Sequence, residues 1–131
     1  MPANSINNRT GTRILDTLPN YENAVVPLDK LTEYSLSFKN NYDKAFAFEK
    51  ALGFTIANYP QLLTQVYRNL PSYKVVDKGY NNHGNRYQVV MTIDGVNGKQ
   101  AEVLTAWIIR NGEDFPRLTN IYVTTKKGVK L

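Results

Sequence analysis

The chain has 131 residues, 42% hydrophobic and 21% charged, a composition that suits one globular domain with a single core and excludes a disordered segment. It has no cysteine and one histidine, His83, which excludes disulfide frameworks, thiol catalysis, iron–sulfur clusters and multi-histidine metal sites, and ties any Ser-His-Asp triad to His83. The net charge is +5, and the whole excess lies in the second half: residues 1–60 carry six Lys/Arg and six Asp/Glu, residues 61–131 ten and five. A one-sided positive field attracts polyanions, nucleic acid first; a solvated basic surface without a partner is the plainer reading.

The start, MPANSINNRTGTR, is polar and has no apolar stretch of a secretory signal. Residues 1–15 read as a flexible tail, or as a segment cut from a longer protein, and 16–131 as one α+β domain. No window of about 18 apolar residues suggests a membrane span. Pro27 suits the first turn of a helix, which the spacing of Leu28, Leu31 and Leu36 carries to about Ser35. A second helix starts near Asp43 as N-cap and ends at Gly53, with Ala45, Phe48 and Leu52 as its buried stripe. A third covers about Pro60 to Asn69, with Leu62, Leu63, Val66 and Tyr67 inward.

After Pro71 the period changes from 3.6 to 2. SYKVVDKGY is a first strand, and NNHGN a turn. RYQVVMTID follows as a second strand, then GVNG as a hairpin turn, QAEVLTAWIIR as a long third strand, NGEDFP as a turn and RLTNIYVTT as a fourth strand. The order predicts an α+β fold in which about three helices pack on one face of a four-stranded antiparallel meander. The other face is left open, and function is sought there.

Metal and nucleotide chemistry lack their motifs. The carboxylates Asp77, Asp94, Glu102, Glu113 and Asp114 are scattered with no ligand spacing. No Walker loop, GxGxxG or GxSxG occurs, so neither a metal nor a cofactor is expected. His83 is either a general acid or base near neutral pH or an exposed turn residue. Lys44 borders the apolar stripe of its helix: it either snorkels to the surface or faces a site, where burial would lower its pKa. Thr105, Trp107, Arg110, Arg117, Thr119 and Tyr122 cluster on the last two strands, with Arg86 opening the second. Arginine gives bidentate phosphate contacts, aromatics can stack a splayed base, and metal-free RNA cleavage needs such cationic donors. Trp107 reads first as core. Lys44, Arg86, Arg117, Thr119 and Tyr122 are therefore the catalytic candidates, and His83, Thr105, Trp107 and Arg110 the substrate-binding ones.

The segments LPNYENAVVPLDKLTEYSL, KAFAFEKALGF, HGNRYQVVMTIDGVNG and TAWIIRNGEDFPRLTNIYV, collinear over about residues 18–123, resemble a small bacterial domain of unknown function. That domain recurs at the C-terminal tips of polymorphic toxins, contact-dependent inhibition effectors and phage-related proteins. Its helices-then-meander order is similar to the barnase–EndoU–colicin–RelE ribonuclease architecture. The resemblance implies a monomeric, metal-independent RNA endonuclease, a tRNase first. It implies a toxin tip of a larger secreted or surface protein, active in the target-cell cytoplasm and neutralised by a cognate immunity protein. By position it supports Lys44, Gly84, Arg86, Trp107, Arg110, Arg117, Thr119 and Tyr122, whereas His83 stands where a Tyr or another polar residue is expected. The alternative is a non-catalytic basic module that binds nucleic acid or a protein partner.

Overall fold

The computed structural model describes residues 13–125, Gly128 and Lys130. It is a mixed α+β fold built on one antiparallel sheet whose spatial order follows the chain: β1 (Arg13–Leu15), β2 (Val75–Asn81), β3 (Gly84–Asp94), β4 (Gln100–Arg110) and β5 (Arg117–Thr124). Between β1 and β2 come α1 (Lys30–Ser35), α2 (Tyr42–Leu52) and α3 (Tyr59–Asn69). The four strands expected from the period-2 segments are β2–β5. The sheet has five because Arg13–Leu15, expected to be tail, pairs with Val75–Asp77 at the edge; the tail expected over residues 1–12 lies outside the described residues. Three residues are too few to show a period, so pairing and the Arg13–Asp77 contact at 3.1 Å, not propensity, make that strand.

The strands alternate as their sequences demand. Asp77, Tyr87, Trp107 and Leu118 stand in one cross-strand row, and Val89, Thr105 and Ile121 in the next. All seven are buried. The helices cover this side. Ala45, Phe48 and Leu52 of α2 and Leu62 and Val66 of α3 are buried against it, while Tyr67, expected inward, is exposed and accepts a hydrogen bond from the Val26 amide on its hydroxyl. Gly53, in left-handed conformation at φ 76°, ends α2 as expected of a C-cap. Asn41, not Asp43, precedes its first turn. The first helix is wider than an α-helix: the Leu36 amide bonds back to the Leu31 carbonyl, five residues away, which buries Leu31 and Leu36 and turns Leu28 out. Ser35 at its end donates to the Ile121 carbonyl at 2.6 Å and ties α1 to β5.

The second face is divided. Toward one end, Gly128 lies so close to the Val90 carbonyl that a Cβ would overlap it, and Lys130 pairs with Tyr73. Ile108 is buried on this face as well, so it is only partly open. The rest of the face, around Arg86, Ile108 and Thr119, is concave. No helix among the described residues is long and apolar enough to cross a membrane.

Candidate functional site

Two strand irregularities shape the concavity. In β5 the register slips so that Leu118 faces Trp107 while Asn120 faces Ala106, leaving Thr119 as the extra residue of a bulge. Its hydroxyl donates to the Ala106 carbonyl at 3.2 Å. In β2 the slip falls between Asp77 and Gly79, where Gly79 takes φ 86°, and Lys78 is left unpaired. The Arg86 guanidinium donates to the Lys78 carbonyl at 3.0 Å across this second bulge.

Three cavities adjoin along the trough, and Thr119 lines all of them. The first, about 280 Å³, lies between α1, α2 and β5 and is lined by Lys30, Lys44, Asn41 and Asn120 among others. The second, about 420 Å³, carries Lys78, Arg86, Asn81 and Gln88 over a floor that includes Ala106 and Ile108. The third, about 580 Å³, is framed by Asn82, His83, Arg110 and Asn111 with Ile108. Among the described residues no Asp or Glu lines any of the three. Nor do three or more His, Asp or Glu among the described residues gather where a metal could be held.

Lys44 stands at the β5 margin because Ala45, Phe48 and Leu52 fix the rotation of α2. Its ammonium donates to Asn120 Oδ1 at 2.7 Å and lies 5.2 Å from the centre of the Tyr122 ring. Both partners are uncharged. Burial therefore lowers the Lys44 pKa from 10.5 with no carboxylate to restore it. The far end of the trough is pinned. Asn81 Oδ1 accepts the amides of His83 and Gly84, Asn111 donates its side-chain amide to the Asn82 carbonyl at 2.9 Å, and the Tyr80 hydroxyl donates to Asn111 at 3.0 Å. Gly84 permits this closeness, since any side chain there would strike the Ile109 and Arg110 backbone. His83 is exposed in that turn.

The trough thus brings together Lys44, Arg86, Thr119, His83 and Arg110 along one surface, with Tyr122 behind Lys44. Two other candidates, Thr105 and Arg117, lie outside it, and a third, Trp107, borders the second cavity from within the core. Thr105 is fully buried and donates to the Val89 carbonyl, while the Trp107 indole donates to Thr105 Oγ1 at 2.8 Å; both belong to the helix side, where alternation places odd-numbered β4 residues. Arg117 pairs with Glu113 at 3.0 Å and stacks 5.3 Å from the Phe115 ring, which holds it in the β4–β5 turn. The residues missed by sequence reasoning are the amides Asn41, Asn81, Asn82, Gln88, Asn111 and Asn120, together with Lys30 and Lys78. Asparagine between strands signals a turn first, and nothing local marks it as lining a cavity.

A family model described as a domain of unknown function, DUF6883, matches residues 17–125. The chain belongs to that family. No curated protein and no solved structure matches the chain. The matched span begins after β1 and contains every residue that lines the trough.

Proposed function

We propose that the chain is an RNA endonuclease that works without a metal ion, with tRNA as its first expected substrate, and that it serves as the toxin tip of a larger secreted or surface protein. The observation that supports this reading is the trough lining: five Lys/Arg along three joined cavities, with no carboxylate among the described residues there. A polyanion is the ligand such a lining favours. Cleavage without metal needs the 2′-hydroxyl to lose its proton and attack the adjacent phosphorus, with cations to hold the charge that develops. Lys44, its pKa lowered by burial, is the base in this reading. Arg86 and Arg110 hold the phosphate, and Thr119 stands between them at the centre of the trough. The bond from phosphorus to the 5′-oxygen breaks, that oxygen takes a proton from water, and a 2′,3′-cyclic phosphate and a 5′-hydroxyl end are left.

The same lack of a carboxylate favours a second reading, a basic module that binds nucleic acid without cutting it. One experiment separates the two. Total RNA is incubated with the protein in excess EDTA, and the fragment ends are sequenced. Fragments ending in 2′,3′-cyclic phosphate support cleavage. Intact RNA with binding whose log K falls with log salt at a slope of about −2 to −4, as three to five phosphate contacts on a single strand require, supports the binding module. Loss of cleavage in EDTA with rescue by magnesium overturns the metal-free mechanism, and a flat salt response removes nucleic acid as ligand. The toxin role is tested by cytoplasmic expression, where growth arrest relieved by a co-expressed immunity protein is expected.

A further inference from the structure

The three cavities repeat one chemical pattern. The first holds Lys30 and Lys44 with the amides of Asn41 and Asn120. The second holds Lys78 and Arg86 with Asn81 and Gln88. The third holds Arg110 with Asn82 and Asn111. Each therefore offers at least one cation and two side-chain amides. They are joined in a row, the first to the second through Thr119 and Asn120, the second to the third through Thr119 and Ile108.

Much of the amide capacity is unspent. The side chains of Asn41, Asn82 and Gln88 make no hydrogen bond among the described residues, and Asn81 and Asn120 use only their oxygens, leaving both NH₂ groups to donate. The cations alone would suit any polyanion. The amides add something that phosphates do not require, because a carboxamide carries a donor and an acceptor side by side and matches the edge of a base. Bases in a duplex turn those edges toward each other, and the deep, narrow major groove of A-form RNA shuts side chains out. Tyr87 and Trp107 line the second cavity but are buried, so the second cavity has no exposed ring for stacking, and the exposed Tyr34 lies at the first. The floor instead includes Ala106 and Ile108, apolar and set in the sheet.

We propose that the trough reads three consecutive unpaired nucleotides, one per cavity, each phosphate meeting a cation and each base edge meeting at least one amide with capacity to spare. This rests on the reading of the trough as an RNA site. It adds that the target is a loop or single-stranded stretch, chosen by base identity at up to three positions. Arg86 and Lys78 take the central phosphate, and Arg110 takes the one beside the pinned turn.

The test uses 2′-O-methyl RNA, which can be bound but not cut by 2′-hydroxyl attack. Homopolymers of two, three, four and six nucleotides of each base and a 12-base-pair duplex are titrated at one low salt concentration. Affinity is expected to rise about tenfold from two to three nucleotides and to level off beyond, and single strands are expected to bind about tenfold tighter than the duplex. The four bases should differ by about fivefold or more. Asn82→Ala with Gln88→Ala should collapse that spread while the thermal midpoint stays put. A duplex bound as tightly as single strands, an affinity still climbing at six nucleotides, or four bases bound alike overturns the three-nucleotide reading, even where RNA is bound and cut. Failure to bind any probe, together with intact total RNA, overturns the RNA assignment itself.

Discussion

The two faces of the sheet treat polar side chains in opposite ways. On the helix side the buried Ser35, Asp77 and Thr105 side chains are each answered. Thr105 donates to the Val89 carbonyl and accepts from Trp107. Asp77 takes hydrogen bonds from Asn85, the Gly79 amide and Arg13. On the trough side, Arg110 and the amides of Asn41, Asn82 and Gln88 have no partner among the described residues. Polar groups that satisfy each other stabilise a fold, and those left with capacity are available to a ligand. The same five strands thus hold a face whose buried polar groups are answered and a face with polar capacity left over, and substitutions on the two should fail in different assays.

The largest effect is expected on the helix side. Trp107→Ala empties a site at the centre of the core and strips the Thr105 hydroxyl of its donor. It should lower stability by about 3–5 kcal/mol in urea unfolding. A loss under about 1 kcal/mol would mean that Trp107 is not the packing residue its burial makes it, and would break the contrast.

Two arginines sharpen the comparison, because sequence reasoning treated them alike. Arg86 borders the trough, whereas Arg117 is spent on Glu113 and Phe115. Arg86→Ala should slow RNA cleavage about a hundredfold with unfolding free energy within about 0.5 kcal/mol of the parent. Arg117→Ala should do the reverse, costing about 1–2 kcal/mol because Glu113 is left half-buried and unpaired, with the rate within about threefold. Equal rate losses for both would return Arg117 to the site.

A smaller effect follows from Asp77. Burial alone would raise its carboxyl pKa, but the hydrogen bonds of Asn85, Gly79 and Arg13 and the Arg13 charge outweigh that and hold it below 3.8. A carboxylate depressed in the folded state contributes stability above its unfolded value, and that contribution is lost as pH falls through the folded one. Asp77→Asn should therefore be about 1–2 kcal/mol less stable at pH 7 and should lose less than the parent as pH falls below 3.8. Parallel curves for the two proteins over that range would remove Asp77 from acid unfolding.

How much of this could be read beforehand follows from the length of each signal. The strand from Gln100 to Arg110 has eleven residues, and its bounds match the expectation to the residue, because alternation over that length competes with nothing. Gly53 ended its helix where expected for the same local reason. Arg13–Leu15 was invisible because its strand exists only through its partner. Tyr122 stands three residues from Thr119, and an even strand would put the two on opposite faces. The bulge at Thr119 undoes that parity, and it leaves no mark in RLTNIYVTT. Asn120 was missed for a related reason: its importance is a tertiary contact 76 residues away in sequence, on Lys44.

That contact carries the finest prediction. Burial disfavours the Lys44 ammonium, so its pKa falls below 10.5 and the neutral amine becomes available at lower pH than for an exposed lysine. If the amine is the base, cleavage rises with pH along a limb that ends below 10.5. Asn120→Asp keeps the shape of the side chain but sets a negative charge where the amide oxygen lies 2.7 Å from the ammonium. That favours the charged form, raises the Lys44 pKa, moves the limb to higher pH and lowers the neutral-pH rate several-fold, with recovery on the alkaline side. Asn120→Ala removes the hydrogen bond without adding charge and should move the limb less. Uniform slowing by Asn120→Asp at every pH would make Asn120 a binding amide and take Lys44 out of the proton transfer. A displaced limb that vanishes in Lys44→Met would assign the titration to this lysine and join the rim of the first cavity to the chemistry.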